Sequence, residues 1–366
     1  MHDPVDVGWM RRALELAERG RHTVSPNPLV GCVLVAGGDV VGEGWHQRAG
    51  QAHAEVLALA EAGERARGAV AYVTLEPCAH TGRTGPCADA LVAAGVSRVV
   101  AALADPHPLA AGGARRLRAA GVDVALGVCE DEARAQNEVF LHGVATGRPF
   151  VTLKCAVSVD GRIAAADGTS QWLTGPAARS LAHELRARAD AVVVGSGTVL
   201  ADDPALTVRL PGYAGPQPLR VVLDGRARTS ASHRVLDGEA PVLVGVRPEA
   251  EGGAADKLRD AGAQVVALPR DADGGLGALL DELWRREVRS VLVEGGARVL
   301  GAFLGAGLWD RLVVHVAALL LGEAGRPALV GDGIATLAGA PRLRLERVEQ
   351  AGDDVVCTYR PGRQEG

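Results

Sequence analysis

Hydrophobic residues in the first part of the chain follow two spacings, one that predicts helices and one that predicts strands. Apolar positions three and four residues apart predict amphipathic helices over residues 7–19, 54–65, 88–94, 114–120 and 131–144. Runs rich in β-branched residues predict strands over residues 29–36, 40–45, 70–75, 98–104 and 122–128, the first two forming a hairpin. This alternation predicts a sheet that is covered by helices on both faces.

The second part of the chain repeats the same rhythm. Helices are predicted over residues 176–188 and 276–286, and strands over residues 150–157, 191–195, 219–223, 242–246, 264–268 and 290–294. Between the two parts, Thr146-Gly147-Arg148-Pro149 has the glycine and proline that are typical of a linker. We therefore expect two α/β domains, residues 1–147 and residues 148–366.

The composition agrees with two domains and narrows the class of protein. The chain has 366 residues, of which 48% are hydrophobic and 23% are charged, as is usual for globular proteins. A net charge of −5 argues against a nucleic-acid-binding surface. The amino terminus lacks the apolar core of a signal peptide, and the longest apolar run, residues 312–321, is too short to span a bilayer. We expect a cytoplasmic protein that binds neither nucleic acid nor membrane. A homo-oligomer is also expected, although nothing in the composition fixes the oligomeric state.

One histidine and two cysteines have the order expected of a zinc site. His53, Cys78 and Cys87 would leave the fourth position of a tetrahedral zinc ion for water. Zinc lowers the pKa of that water, which yields a hydroxide that can attack a ring carbon bearing an amino group. Glu55 stands where zinc deaminases, with their H-x-E and P-C-x-x-C signature, carry the general acid/base. Residues i and i+2 do not share a helix face, so His53 and Glu55 converge only at a helix's first turn.

The second part of the chain offers weaker signals, each with an ordinary structural explanation. Glu294-Gly295-Gly296, between a strand and a helix, predicts an anion-binding turn, and tight helix packing explains it equally well. Lys154 lies in an apolar strand, where a lysine is costly unless it is paired or functional. Asp202 and Asp203 lie in a turn, where a solvated cap is the alternative. Taken singly, none of these establishes an enzyme.

Taken together, these segments resemble the bifunctional deaminase–reductases of bacterial riboflavin biosynthesis over nearly the whole chain. The first part carries SPNPLVGCV, GEGWHQRAGQAHAEV, YVTLEPCAHTGRTGPC and ADPHP, and the second carries RPFVTLKCAVSVDGRIA, SQWLT, GSGTVLADDPALTVR and VEGGARVLGAFL. The long gap between Cys78 and Cys87 is similar to this family's own spacing. The chain departs from the family's D-P-N-P loop by carrying His107 in place of asparagine.

The resemblance implies a fold, two reactions and two cofactors. The implied fold is a cytidine-deaminase-like α/β/α sandwich followed by a dihydrofolate-reductase-like α/β domain. The first domain would use zinc to deaminate 2,5-diamino-6-(5-phosphoribosylamino)pyrimidin-4(3H)-one. The second would use NADPH to reduce the ribosyl group of 5-amino-6-(5-phosphoribosylamino)uracil to ribityl. The substrate is thus a small phosphorylated pyrimidine.

The resemblance also implies a role for individual residues. It makes His53, Cys78 and Cys87 the zinc ligands and Glu55 the proton shuttle. Substrate contacts in the deaminase fall on Asn27, His46, His80, Arg83, Thr84 and Asp105. Cofactor contacts in the reductase fall on Ala156, Trp172, Thr198, Asp202, Gly296, Ala297, Arg298, Val299, Leu300, Gly301 and Ala302. Substrate contacts in the reductase fall on Ser170, Arg186, Leu206, Arg209 and Glu294.

Two assignments in the reductase go further than the resemblance. Lys154 and Asp202 are both candidates for the group that handles the proton when the opened ribosylamine is reduced. Arg186 and Arg209 are expected to hold the 5′-phosphate, because a guanidinium matches phosphate oxygens bidentately. At Arg186, a solvated helix arginine is the alternative.

Two rival interpretations concern the whole chain. One is a nucleoside or RNA deaminase fused to an unrelated reductase or binding domain. RNA binding would call for basic residues and stacking aromatics, and aromatic residues make up only 3% of this chain. The other is a non-enzymatic binding module that has lost its chemistry. Such a module would lack a zinc ligand or the glutamate, and this sequence has all of them.

Overall fold

The chain forms two compact units, Met1–Gly147 and Arg148–Gly366, in a computed structural model that describes residues 2–80, 85–331 and 333–362. None of the helices in these ranges is both long enough and apolar enough to cross a membrane.

The first unit is built around a five-stranded sheet. Its strands are β1 (Gly31–Ala36), β2 (Asp39–Trp45), β3 (Val70–Leu75), β4 (Arg98–Leu103) and β5 (Asp123–Leu126), in the spatial order β2-β1-β3-β4-β5. β1 pairs antiparallel with β2 and β3, whereas β3, β4 and β5 are parallel. Its helices are α1 (Pro4–Glu18), α2 (Ala54–Ala62), α3 (Cys87–Ala93), α4 (Gly113–Ala119), α5 (Glu130–Gln136) and α6 (Glu138–Thr146).

Alternate residues of the central strands face two separate cores. On one face, Val73 and its neighbours pack with α2, α3 and α4. On the other face, Tyr72 and its neighbours pack with α1 and α5. Because side chains alternate across a strand, one strand contributes to both cores. The expected sheet with helices on both faces is therefore confirmed in this unit.

The prediction of a single helix over residues 131–144 is wrong, because this segment forms two helices. α5 ends at Gln136 and α6 begins at Glu138, so Asn137 lies between them. The Asn137 side chain is buried, and its amide pairs with the backbone of Leu29. Its Oδ1 accepts from the Leu29 N–H at 2.8 Å, and its Nδ2 donates to the Leu29 carbonyl at 2.9 Å. This pairing with a distant segment accompanies the break, and local periodicity does not report it.

Glycines in β2 bring α2 unusually close to the sheet. A Cβ at Gly44 would lie 2.2 Å from the carbonyl oxygen of Ala54, and one at Gly42 would lie 2.2 Å from that of Ala58. Any other residue would push the helix outwards. These two glycines therefore set the position of the first turn of α2, where His53 and Glu55 lie.

The second unit is built around a nine-stranded sheet. Its strands are β6 (Phe150–Ser158), β8 (Ala191–Gly195), β9 (Leu219–Leu223), β10 (Val242–Val246), β11 (Gln264–Ala267), β12 (Ser290–Val293), β13 (Arg311–Ala317), β15 (Leu343–Ala351) and β16 (Asp354–Pro361). A separate small ribbon pairs β7 (Arg162–Ala164) with β14 (Arg326–Pro327). The helices are α7 (Pro176–Ala187), α8 (Ser196–Asp202), α9 (Ala254–Asp260), α10 (Leu276–Arg285) and α11 (Ala297–Gly305).

The large sheet has the order β11-β10-β9-β8-β12-β6-β13-β16-β15. Reading along this order, each strand from β11 to β13 is parallel to the next. β16 is antiparallel to both of its neighbours, β13 and β15. Its main core packs the central strands against α10 and α11. The carboxyl ends of parallel strands are where open α/β sheets usually bind ligands, so this edge positions the candidate site.

Candidate functional site

In the first unit, three metal-binding side chains meet where two helices begin and a strand has just ended. His53 immediately precedes α2, Cys87 is the first residue of α3, and Cys78 follows β3. His53 Nδ1 lies 3.2 Å from Cys87 Sγ and 3.7 Å from Cys78 Sγ. The three ligand atoms all lie within 4.8 Å of one another.

The spacing and chemistry of these donors fit zinc. With Zn–N and Zn–S bonds of the usual length, ligand atoms of a tetrahedral site are about 3.5–3.8 Å apart. Hydrogen bonding from Cys87, and then from His53, lowers the pKa of Cys78 in spite of burial. A thiolate is the form that binds metal. One imidazole and two sulfurs at this separation would hold zinc without movement of the backbone.

Glu55 lies in the first turn of α2, beside the metal-binding side chains. Its side chain is 3% exposed, and burial raises the pKa of its carboxyl group. Its Oε2 has no hydrogen-bond partner in the parts of the chain that the structure describes. A buried carboxyl oxygen without a partner, and with a raised pKa, suits a group that takes up and releases a proton.

Two of the expected substrate residues lie next to the metal-binding histidine. The rings of His46 and His53 stand edge to face, with 5.6 Å between their centroids. His46 Nδ1 lies 3.1 Å from the Ala52 carbonyl oxygen, and its Nε2 lies 3.0 Å from Asn27 Nδ2. Since a carbonyl only accepts, Nδ1 carries the proton and Nε2 accepts from Asn27. Burial lowers the pKa of His46, which favours this neutral form.

Glu76, which the sequence analysis did not single out, fixes the loop that carries Asp105. Glu76 Oε1 accepts from the N–H groups of Gly112 (3.2 Å) and Ala114 (2.7 Å), and its Oε2 accepts from the Asp105 N–H (3.0 Å). Asp105 in turn accepts from the His107 N–H at 2.8 Å. In the sequence, the only local sign that Glu76 fixes this loop is the presence of an acidic residue in the Glu-Pro-Cys segment. The loop is thereby fastened to the segment that carries Cys78.

Gly113 brings the same loop against that segment, and we predict that Gly113→Ala damages the metal site. An added Cβ would stand 1.7 Å from the Pro77 carbonyl oxygen, so the backbone beside Cys78 must shift. We expect the zinc content to fall below one per chain and deamination to fall at least roughly tenfold. Metal analysis and a deaminase assay check this. Gly8→Ala is the control, because a Cβ at Gly8 meets nothing within 4 Å. Full zinc and activity in the Gly113 variant would contradict the prediction.

Three other expected deaminase residues lie in or beside the cysteine loop. His80 is exposed and lies at the edge of the described region. Arg83 and Thr84 lie outside the described residues.

The second unit contains a cavity of about 750 Å³ at the carboxyl ends of β8, β9 and β12. Most of the expected reductase residues line it. These are Lys154, Ala156, Ser170, Thr198, Asp202, Glu294, Gly296, Ala297, Arg298, Val299 and Leu300. The size is that of an ordinary small-molecule site. The structure thus brings residues from widely separated motifs together around one space.

Other expected reductase residues do not line this cavity. Trp172 is 67% exposed, and the Arg179 guanidinium stands 4.7 Å from its ring centroid. Gly301 allows α11 to pack closely, since a Cβ there would lie 2.1 Å from the Val330 carbonyl oxygen. The rest of this group is Arg186, Leu206, Arg209 and Ala302.

The turn before α11 has room for a phosphate. Gly296 has a φ of −64° and donates its N–H to Thr198 Oγ1 at 3.2 Å. A Cβ at Gly296 would lie 3.4 Å from that oxygen, an ordinary contact, whereas a Cβ at Gly295 would lie 2.7 Å from the Val299 Cβ. Gly295 is therefore needed for packing. Gly296 keeps the space in front of the helix open, and a cofactor phosphate fits such a cradle.

Arg186 and Glu294 form a buried, bidentate ion pair. Arg186 Nε and Nη2 donate to the two carboxylate oxygens at 2.8 and 2.7 Å, and its Nη1 donates to the Thr207 carbonyl at 3.1 Å. Burial alone would raise the pKa of Glu294, but Arg186 and Lys154 outweigh it and lower that pKa to about 2. Protein acceptors thus take three of the five N–H groups of Arg186, so this pairing does not support the expectation that Arg186 holds phosphate, which stays a prediction.

His183 is a second group that the sequence analysis missed. It lies on α7 one turn before Arg186, a helical spacing that could have drawn attention to it. Its Nδ1 accepts from the backbone N–H of Arg209 at 3.2 Å. Burial, together with Arg186 and Arg209, lowers the pKa of His183 to about 4, so the ring is neutral at pH 7. α7 therefore holds the Arg209 segment through a neutral histidine.

Comparison with known proteins agrees with this pair of sites. Residues 4–103 match the family model of the cytidine and deoxycytidylate deaminase zinc-binding region. Residues 149–357 match that of the RibD C-terminal domain.

Full-length relatives extend these matches. The riboflavin biosynthesis protein RibD of Escherichia coli is 44% identical over 370 residues, covering 98% of this chain and 99% of its own. The RibD structure of Acinetobacter baumannii, form 1, is 43% identical with a TM-score of 0.90, covering 98% of this chain and 99% of its own. The deaminase/reductase structure of Thermotoga maritima is 35% identical with a TM-score of 0.87 and the same coverage.

These matches confirm the predicted fold class, the two activities and the two cofactors. The first domain is cytidine-deaminase-like and binds zinc, and the second is a reductase domain of the RibD type, which uses NADPH. The chain belongs to the RibD family of bifunctional riboflavin-biosynthesis deaminase–reductases.

Proposed function

We propose that the two reactions are divided between the two units. The first unit deaminates 2,5-diamino-6-(5-phosphoribosylamino)pyrimidin-4(3H)-one, and the second reduces 5-amino-6-(5-phosphoribosylamino)uracil with NADPH. The observation that carries this proposal is the presence of one chemically complete site in each unit: the His53, Cys78, Cys87 and Glu55 cluster in one and the 750 Å³ cavity in the other. The domains are residues 1–147 and 148–366.

In the deaminase, His53, Cys78 and Cys87 would hold zinc, which supplies a hydroxide nucleophile at neutral pH. Glu55 takes the proton released when that nucleophile forms and passes it towards the ring and the leaving amine. Water and the C2 amino compound thus give the C2 carbonyl and ammonia, with no net change in protons on Glu55. The buried, unpartnered Oε2 of Glu55 supports this role.

The deaminase also needs residues that orient the pyrimidine. We assign substrate contacts to Asn27, His46 and Asp105, together with His80, Arg83 and Thr84. The neutral His46 ring, fixed at both nitrogens, supports a positioning role. Asp105 is held through its own backbone by Glu76, which supports an orientation that does not depend on the substrate.

In the reductase, hydride adds to C1′ of the opened, imine form of the ribosylamine, and a proton must reach the imine nitrogen. We propose Lys154 as the proton donor, because a lysine ammonium group is a donor whereas an aspartate carboxylate only accepts. Lys154 lies in β6 and lines the cavity together with Glu294. Asp202 accepts from Ser170 Oγ at 3.3 Å, which suits it to orienting ligand hydroxyls.

The cofactor phosphates are placed at the turn before α11, and Gly296→Val tests this. Because Gly296 has an ordinary φ and only a 3.4 Å neighbour, the added side chain fills the cradle without straining the backbone. We expect NADPH affinity to fall at least roughly tenfold while deamination and zinc content stay unchanged. Fluorescence titration of the full chain measures the affinity. Unchanged NADPH binding would mean that the cofactor phosphates bind at another place in the protein.

The 5′-phosphate of the reductase substrate is assigned to Arg209, and Arg209→Ala tests this. Arg209 is exposed, and its segment is held to α7 by His183. A charge-assisted hydrogen bond contributes about 1.5–3 kcal/mol, so we expect kcat/KM for the nucleotide to fall roughly ten- to 150-fold. The dephosphorylated nucleoside should lose almost nothing. An equal loss on both substrates would assign Arg209 a packing role instead.

Complementation tests the division of labour. A Glu55→Gln chain should retain reduction and lose most of its deamination, and a Gly296→Val chain, at an NADPH concentration well below its own Kd, should retain deamination and lose most of its reduction. Mixed with the diaminopyrimidine nucleotide and this concentration of NADPH, the two variants together should form the ribityl product much faster than either variant alone. Failure of the mixture, with both partial activities present, would contradict the proposal.

We also propose that the protein is a cytoplasmic homo-oligomer without a nucleic-acid partner. The net charge of −5 supports the last point. Edge strand β15 exposes three apolar side chains, Leu343, Leu345 and Val348, and an exposed apolar edge favours pairing with another chain. Light scattering of the purified protein tests the oligomeric state, and a monomer at micromolar concentration would contradict it.

A further inference from the structure

Among the residues that the structure describes, three arginines line the cavity of the second unit: Arg228, Arg298 and Arg326. NADPH differs from NADH by one phosphate on the adenosine ribose. A protein distinguishes the two by contacting that phosphate, and arginine suits a phosphate because its planar fork can donate two parallel hydrogen bonds. The position of each arginine along the cavity therefore decides which of them can contact the phosphate on the adenosine ribose.

The order of the strands shows which end of the cavity would hold the adenosine end of NADPH. This step rests on the cofactor placement proposed above. Strands β9, β8, β12 and β6 are neighbours in that order. Adjacent strands are about 4.8 Å apart, so β9 lies about 14 Å from β6 and about 10 Å from β12. The nicotinamide belongs near Lys154 on β6, and the pyrophosphate belongs at the turn between β12 and α11. The adenosine end of an extended dinucleotide then lies towards β9.

Arg228 lies in the turn that follows β9, at that end of the cavity. Its Nη2 donates to Ser196 Oγ at 2.7 Å, and its Nε lies 3.7 Å from Asp224 Oδ1. Asp224 is fully buried, and its other oxygen, Oδ2, accepts from the N–H and the hydroxyl of Thr229. Nη2 is thus held by Ser196 and Nε lies beside Asp224, while the Arg228 side chain is 48% exposed and lines the cavity.

The other two arginines lie elsewhere along the cavity. Arg298 is the second residue of α11, beside the turn proposed for the pyrophosphate, which both cofactors carry. Arg326 belongs to the small β7–β14 ribbon, and its Nη2 lies 2.7 Å from where a Cβ at Gly168 would stand. We propose that Arg228 binds the 2′-phosphate of NADPH and gives the reductase its preference for NADPH over NADH.

The test compares the dissociation constants of NADPH and NADH for the full-length zinc-loaded protein, measured by fluorescence titration without substrate. Arg228→Gln should weaken NADPH roughly ten- to 150-fold, as expected for one lost charge-assisted contact, and leave NADH within about twofold. Arg298→Gln, the matched control, should weaken both cofactors by a similar factor. Ser196→Ala keeps the charge and removes only the anchor, so it should weaken NADPH a few-fold and NADH not at all.

The outcomes separate this inference from the proposed function. If Arg228→Gln weakens both cofactors equally, or leaves NADPH unchanged while Gly296→Val weakens both, the assignment of Arg228 is overturned and the cofactor site stands. If Gly296→Val also leaves NADPH binding unchanged, the proposed site itself fails, and with it the assignment of Arg228. A selective loss of NADPH in the Arg228 and Ser196 variants supports the inference.

Discussion

Deamination falls by about 10²–10⁴ when Glu55 is replaced by glutamine, because the shape and the metal ligands remain and only the proton shuttle is lost. Glu55 is almost fully buried, with Oε2 unpartnered among the described residues, so glutamine fits the same space. Steady-state assays with the diaminopyrimidine nucleotide measure the loss.

Two controls show whether the Glu55 variant has lost only the proton shuttle, and not its zinc or its fold. Zinc content should remain at one per chain, and reduction of supplied uracil nucleotide should continue at the wild-type rate. Glu64→Gln is a matched surface variant, since Glu64 is exposed in the turn after α2, and it should keep full activity. Full deamination by the Glu55 variant would rule out this residue as the shuttle.

The second unit loses about 3–5 kcal/mol of folding free energy when Arg186 is replaced by methionine, because this leaves the Glu294 carboxylate buried and unpaired. The two side chains are 14% and 9% exposed, so solvent does little to replace the lost partner. Urea unfolding of the full chain measures the change. The double variant Arg186→Met, Glu294→Gln should recover much of it, since no charge then remains buried.

The same pair predicts a dependence on pH. The pKa of Glu294 is lowered to about 2 in the folded protein, so its contribution is present above about 4.3, the ordinary value for a glutamate, and is lost as the pH falls towards 2. Without Arg186, burial raises the pKa of this carboxyl, which then takes up a proton at higher pH. The deficit of the Arg186 variant should therefore be smaller at pH 4 than at pH 7. A deficit that does not change with pH would mean that Arg186 stabilises the unit by packing alone.

Buried strands were the elements that the sequence predicted best. The strands over residues 70–75, 191–195, 219–223 and 242–246 agree with the structure to the residue. Each is a short run of β-branched residues that is covered on both faces, so its pattern depends little on its neighbours in the sheet.

The strands at the other edge of the second unit were not predicted. β15 reads Leu-Arg-Leu-Glu-Arg-Val-Glu-Gln-Ala and is mostly exposed. β16 pairs with both β13 and β15, so these strands depend on partners up to about 45 residues away in the chain. Charged, half-solvated strands give little local signal. The short helices α8 and α9 were missed for a similar reason, since seven residues show barely two turns of periodicity.

Some features of the candidate sites could be predicted from the sequence, and others could not. Residue types and spacing were enough to select the zinc donors and Glu55, because the chemistry itself restricts the choice. They could not reveal contacts between distant segments, such as the ion pair between Arg186 and Glu294 or the loop held by Glu76. These contacts show that Arg186 pairs with the Glu294 carboxylate, a partner that the sequence did not indicate.

One chain performs both reactions, with deamination before reduction, and mass analysis of the products distinguishes the two steps. Purified protein is incubated with 2,5-diamino-6-(5-phosphoribosylamino)pyrimidin-4(3H)-one, with and without NADPH. Without NADPH, we predict a product in which one amino group has been replaced by oxygen and the ribosyl group is intact. With NADPH, we predict that this product gains two hydrogens. Reduction of the starting compound without deamination, or no reaction by the zinc-loaded protein, would rule out this order of reactions in this chain.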